Sequence, residues 1–318
     1  MTAHHAFPVA NAPCSWGVIG GNTPMTPFRT MLDELAASGY VGTELGDYGY
    51  MSTDANVLDA ELAQRQLTML GGFVPVHLAH DTLAQDDVDH VRTVARLLAA
   101  TSRGPRKPRL ILADADGSNP TRFHHAGRVT EAMRLDAATM TRFARHVDHI
   151  AEVVHAETGL PTTFHPHCGG WIETPDEVDA LLDATNPERV RIVFDTAHYV
   201  YGSGRTDHDG QRAVRGLERF WDRIDTIHVK DCSAEIAERS RSEGWNYDVS
   251  VRAGLYCELG QGSIDFGAVL ATLERFGYQD WLTVEQDVFP NMGTPLESAR
   301  RNRAFLASLG VSTIEREP

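Results

Sequence analysis

No apolar run in this chain approaches the roughly 20 residues that a membrane-spanning helix needs, which excludes an integral membrane protein of the helical kind. Residues 1–8 lack the basic and long apolar regions of a secretory signal, so a cytoplasmic location is expected. Cysteine is scarce. Cys14, Cys168, Cys232 and Cys257 show no CxxC spacing, and in a chain of this length they build no disulfide framework. Lys and Arg, 29 together, are outnumbered by 44 Asp and Glu. The resulting net charge of −15, with no basic cluster to offset it, argues against a nucleic-acid partner. A phosphate-cradling loop is also missing. Gly260-Gln261-Gly262 lacks the preceding strand, the lysine and the glycine spacing of one, and is expected to set a sharp turn before the following helix.

What is present is an alternation of strand-like apolar runs with helical patterns through the whole sequence. The strand candidates are Phe7–Ser15, Val41–Leu45, Gly72–Leu78, Arg109–Ala113, Thr162–His167, Arg191–Asp195, Thr226–Lys230 and Trp281–Glu285. Eight such strands with helices between them predict an α/β fold, a (β/α)8 TIM barrel filling residues 1–318 as a single domain. Met140, Phe143, Val147, Ile150 and Val154 fall at three- and four-residue steps, which places them on one face of a helix over Asp136–Glu157. Phe266, Val269, Leu270, Leu273 and Phe276 do the same over Ile264–Phe276, with Gly277 as the stop. Thr174-Pro175-Asp176-Glu177 reads as a helix start.

The last four strands carry the chemistry. Each ends in imidazole or carboxylate: His165 and His167, then Asp195, then His228 and Lys230, then Glu285. At the C-terminal ends of consecutive barrel strands these groups converge on one point, which suits a divalent cation: Mn²⁺ or Co²⁺ first, with Mg²⁺ and Zn²⁺ as alternatives. His165 and His167 alternate about Pro166 and face one side, in a metal or a substrate role. His198, three residues after Asp195, is placed to reach a substrate oxygen. Glu44 and His77, at the ends of the second and third strands, are candidate substrate contacts or satisfied buried polar groups. Cys14, Cys168 and Cys232 also lie near strand ends and read as small fillers. Two connections exceed ordinary length, Asp114–Arg134 and Cys232–Gly262. The second carries Trp245, Tyr247 and Tyr256, rings suited to covering a polyol or packing a subunit interface.

The set Asp195-Thr196-Ala197-His198, His228-Val229-Lys230-Asp231, Gly260 to Phe266 and Val284-Glu285 resembles the xylose isomerase-like sugar phosphate isomerase/epimerase superfamily. Phe164 to Gly170 and Glu285-Gln286-Asp287 are most similar to its inosose dehydratase branch. The resemblance runs from Asn11 to the last helix and takes in Trp16, expected to contact substrate. It implies a metal held by Asp195, His228, Glu285 and, where the superfamily usually has a glutamate on the fifth strand, His165, with Glu173 as the alternative fourth ligand. Losing one of two ligating glutamates disfavours two-base epimerisation and keeps one-base elimination open. The expected activity is therefore a metal-dependent dehydratase (hydro-lyase) of a cyclic polyhydroxy ketone, scyllo-inosose (2-keto-myo-inositol). Glu285 serves as base, and His198, His167 or Lys230 as acid. The alternative is a sugar isomerase or epimerase acting through an enediolate. The implied partners are a small polyol or ketose and further copies of the chain, as a homodimer or homotetramer.

Overall fold

The computed structural model describes residues 7–18, 26–115, 119–289 and 293–312. Its centre is a parallel sheet built from β1 (Val9–Asn11), β2 (Gly42–Thr43), β3 (Thr68–Met69), β4 (Gly71–Val76), β5 (Arg109–Asp114), β6 (Thr162–Phe164), β7 (Val190–Asp195), β8 (Ile224–Val229) and β11 (Leu282–Val284). The order β3-β2-β1-β11-β8-β7-β6-β5-β4 brings the sheet back upon itself. Strands β3 and β4 are two halves of one stave, interrupted at Leu70, whose N–H donates to Thr43 while its carbonyl accepts from Arg109. Nine segments thus form a nearly closed barrel of eight staves.

The strands are shorter than the apolar runs suggest. The run Phe7–Ser15 yields strand only over Val9–Asn11. Pro13 has no N–H to continue the ladder, and Pro13–Trp16 turns instead into a short 3-10 helix. The helices follow their sequence signals. Asp136 caps Ala137–Thr158 through Thr139 N–H, Gly159 ends it in the left-handed conformation, and Phe143, Val147, Ile150 and Val154 are buried as their spacing requires. Thr174 and Glu177 form a reciprocal capping box at Pro175–Ala184. Asp265 caps Phe266–Arg275. Among the described residues no helix is long and apolar enough to cross a membrane.

One irregularity positions the site. Strands β7 and β8 pair Ile192 with Ile224 but Val193 with Thr226, so Asp225 is an extra residue on β8. This bulge advances the register by one, and it sets Asp195 opposite His228 rather than opposite Ile227. Asp225 itself turns to Arg109, 2.7 Å away.

The 232–262 excursion is structured. Strands β9 (Asp231–Cys232) and β10 (Tyr256–Cys257) pair antiparallel at its base, and it carries helices over Ala234–Glu243 and Tyr247–Arg252. Asp231 anchors the return as an acceptor for the N–H groups of Gly260 and Gly262, both at 2.9 Å. A side chain at position 262 would collide with the Asp231 carboxylate, so the turn expected at Gly260-Gln261-Gly262 requires glycine there.

Candidate metal centre and active site

At the C-terminal mouth, His165, Asp195, His228 and Glu285 each offer one ligand atom, and these atoms all lie within 4.8 Å of one another. Asp195 is held from one side. Its Oδ1 accepts from the N–H groups of Ala197 and His198 at 2.9 and 2.7 Å, while Oδ2 is buried with no hydrogen-bond partner. His165 is equally incomplete: its Nδ1 is buried without a hydrogen bond. Buried polar atoms left unpaired cost roughly 1–3 kcal/mol each, and the Asp195 oxygen left unpaired lies 4.0 Å from His228 Nδ1 within this cluster, so the donor set marks a candidate cation position. Nitrogen and oxygen donors of this kind fit Mn²⁺, Co²⁺, Mg²⁺ or Zn²⁺.

His228 is oriented for the same purpose. Its Nε2 meets Glu44 Oε1 at 2.9 Å, and Nδ1 faces Glu285 Oε2 at 2.8 Å and Asp195 Oδ2 at 4.0 Å. A carboxylate behind an imidazole fixes its tautomer and leaves the other nitrogen for a metal. Glu44, 5 % exposed, therefore orients a ligand as well as lining the cavity, a role its sequence position does not reveal.

The charges are strongly interdependent. Burial, then the charge of Glu285, push the Asp195 carboxyl up to about 7. Burial opposes a charge on His228, but Glu44 and Glu285 outweigh it and hold the imidazole well above its usual range. Against its own burial, Glu285 is held well below the carboxylate range by Lys230 and His228. Burial would lower Lys230 too, yet Asp287, Glu285 and Asp195 keep its ammonium charged. Burial, followed by the charges of His228 and His167, drives His165 well below the usual imidazole value, so it presents neutral nitrogen to a cation.

The remaining sequence candidates separate into those that reach the cavity and those that do not. His167 lines it, and its Nδ1–H donates to the Cys168 carbonyl at 2.9 Å. His198 lies behind His167, ring centroids 4.0 Å apart, and is not among the lining residues. The Cys168 N–H donates to His198 Nδ1 at 3.2 Å, which puts the proton of the neutral ring on Nε2. Lys230 is sealed between Glu285, Asp287 and the Tyr256 ring, again off the lining. Two candidate substrate contacts lie off the cavity lining. Trp16 is fully buried with its indole N–H donating to Glu34 at 2.7 Å, a core anchor. His77 is about half exposed, 3.5 Å from Asp87 and stacked on His80, outside the cavity lining.

Glu173 does not complete the metal set. Its carboxylate accepts from Gly127 N–H at 2.6 Å and Gly169 N–H at 2.8 Å, tying two loops together, and His165 occupies the fourth position instead. Tyr247 lines the cavity, Tyr256 packs on Lys230, and Trp245 sits under the Arg239 guanidinium off the lining. Asp287, in the sequence only the end of Glu285-Gln286-Asp287, faces the cavity and pairs with Lys230 at 2.9 Å. Cys14 also faces it, its thiol raised well above normal by burial and then by Glu285 and Asp287. Cys168 and Cys232 are buried, as fillers should be.

Comparison with known proteins agrees with this architecture. A family model described as Xylose isomerase-like TIM barrel matches residues 32–309. An inosose dehydratase of Bacillus velezensis is 28 % identical over 309 residues, covering 93 % of this chain and 94 % of the relative. Among solved structures, the probable 3-DHS dehydratase AsbF of Bacillus anthracis superposes with a TM-score of 0.65 at 13 % identity, over 94 % of this chain and 98 % of its own. The IOLI protein with a binding zinc atom superposes with a TM-score of 0.62 at 13 % identity, over 97 % and 100 %.

Proposed function

The chain belongs to the xylose isomerase-like TIM barrel family, and on that premise we propose that it is a metal-dependent dehydratase of a cyclic polyhydroxy ketone, with scyllo-inosose as the first substrate to test. The observation that carries the reading is the convergence of His165, Asp195, His228 and Glu285, with imidazole where a second base would stand. The inosose dehydratase relative, similar along nearly the whole chain, supports the same reaction class.

His165, Asp195, His228 and Glu285 would hold the cation, which when bound supplies a Lewis acid for the ketone oxygen. Glu285 stays ionised between His228 and Lys230, and it takes the proton from the carbon next to the carbonyl. His167 exchanges a proton through Nε2, because Nδ1–H is committed to the Cys168 carbonyl, and it delivers that proton to the departing hydroxyl. A positioned acid of this kind contributes ~10²–10⁴-fold. His198 and Lys230 act from behind the wall, the first packing against His167 and the second fixing Glu285. The Tyr247 ring, 5.5 Å from His167, limits water at the reacting face.

The test is the product. Metal-supplied protein and scyllo-inosose should give a dione absorbing in the ultraviolet with loss of water. Recovery of an isomerised ketose carrying solvent deuterium, without dehydration, would assign the chain to the epimerase reading instead.

A further inference from the structure

A second hollow lies away from the metal centre, between the start of the helix Pro175–Ala184, the end of the helix Thr196–Gly202 and the helix Arg212–Phe220. It shares no lining residue with the cavity over the candidate ligands. In a chain of net charge −15, Arg134, Arg205, Arg212, Arg215 and Arg219 all border this hollow, with Asp176 as the carboxylate among its lining. Arg212, Arg215 and Arg219 stand at steps of three and four on one helix face, and the fold adds Arg134 and Arg205 from loops. Helix stability does not ask for this pattern. A cation in the first turn opposes the helix dipole, and like charges four residues apart repel.

The arginines are only partly neutralised. Asp176 pairs with Arg134 at 3.1 Å and with Arg219 at 3.0 Å, Asp179 also pairs with Arg219, and Asp209 meets Arg215 at 3.0 Å. Asp207 lies 3.8 Å from Arg215 and accepts the backbone N–H of Arg212. The Asp176 and Asp209 side chains are each 60 % exposed, and ion pairs open to water contribute little, so a denser anion competes well for their guanidiniums. Arg205 and Arg212 form no ion pair among the described residues. Arg212 gives one guanidinium N–H to the Thr206 carbonyl, but its Nε and that of Arg134 are buried with no hydrogen-bond partner. Unpaired buried donors on cations call for an anionic acceptor.

The hollow measures about 470 Å³. That is room for roughly 15 water-sized groups at ~30 Å³ each, more than one phosphate fills and enough for two joined ones. Guanidinium forks match phosphate oxygens in pairs, and joined phosphates concentrate more charge than the single carboxylates they would displace. We propose that this hollow binds a small molecule carrying a diphosphate group, held first by Arg205 and Arg212 and then by Arg134, Arg215 and Arg219 as they leave their exposed aspartates. Tyr199 and Gly202 line it from the far half of the helix that Asp195 caps, so its occupant bears on the same helix as a proposed metal ligand. The site is independent of the dehydratase reading.

Calorimetric titration of the full chain without added divalent metal tests it, with pyrophosphate, ADP and inorganic phosphate as probes. Pyrophosphate should saturate at about one per chain, at least about tenfold tighter than phosphate, and weaken with added salt. Arg205→Gln and Arg212→Gln should each weaken it about tenfold, the effect of losing one charge-assisted contact. Arg205→Lys should retain part of the affinity, and Arg96→Gln, outside the hollow, all of it. Arg205 is exposed, so its replacement reads binding and not folding. ADP bound more tightly than pyrophosphate supports a nucleotide as the source of the group; equal affinity supports the diphosphate alone. No saturable binding of either in the millimolar range overturns the proposal, as does binding that Arg205→Gln and Arg212→Gln leave unchanged.

Discussion

Lys230 places its Nζ 3.1 Å from Glu285 Oε1 and 2.9 Å from Asp287 Oδ2, with its side chain only 1 % exposed. The Tyr256 ring closes the remaining side, 4.2 Å from the ammonium. One buried cation thus balances two carboxylates and pins the Glu285 oxygen that faces away from His228. The ion pair is a positioning device that keeps the proposed base charged and aimed.

Lys230→Met should therefore do more than lower stability. Removing one partner of a buried pair costs about 3–5 kcal/mol, which thermal or denaturant unfolding will read. Glu285 also loses the largest influence holding its pKa down. Its pKa rises, and because a base works only when ionised, the acid limb of the pH–rate profile moves to higher pH. A variant with the stability loss but an unmoved acid limb would separate Lys230 from the chemistry.

Metal affinity should depend on pH through His228. Glu44 and Glu285 keep the imidazole protonated without a metal, so a cation must displace that proton. Calorimetry in buffers of different ionisation enthalpy should detect proton release at neutral pH, and affinity should fall on acidification. Glu44→Gln removes the carboxylate that orients the ring and should weaken metal binding about 10–100-fold. Unaltered affinity in that variant would leave Glu44 a cavity residue only.

Glu173 sets a pH dependence of stability of its own. Burial raises its carboxyl from the ordinary 4.5 to about 7 in the folded chain. The unfolded chain therefore releases this proton at lower pH than the native one, and stability falls as pH rises from about 4.5 to about 7. Glu173→Gln cannot titrate, so its melting temperature should vary less across that window than that of the unmodified protein. It should also be lower at pH 5, because an amide group replaces one oxygen that accepts Gly127 or Gly169 N–H. An unchanged pH slope would show that Glu173 is not the group responsible.

The barrel was legible because parallel strands buried on both faces read as apolar runs and the helices between them keep their caps. Thr174 caps where its motif suggests, and Asp136 and Asp265 cap at the starts of the two helices that the apolar spacing marks. The four candidate ligands were legible because each lies at or beside a strand end, and barrel geometry turns that into convergence. What pairs across long separations was not. Glu44 meets His228 across 184 residues, and nothing in Gly42-Thr43-Glu44 distinguishes an orienting carboxylate from a substrate contact. Trp16 is a substrate contact only by the resemblance, and the turn at Pro13–Trp16 directs its indole to Glu34. His77, read at the end of the third strand, lies one residue beyond β4, which ends at Val76. The hairpin and helices within 232–262 lack an extended apolar period, and short polar helices leave little trace beyond caps such as Ser233 and Asn246.

The central claim is one cation held jointly by His165, Asp195, His228 and Glu285, and elemental analysis of the Mn²⁺-supplied protein tests it most directly when the same preparation is assayed for dehydration. The account predicts about one ion per chain, its loss together with activity in Asp195→Ala, and loss of activity with restoration by Mn²⁺ on chelating the unmodified protein. An Asp195→Ala variant without metal that still dehydrates the ketone at the normal rate contradicts it.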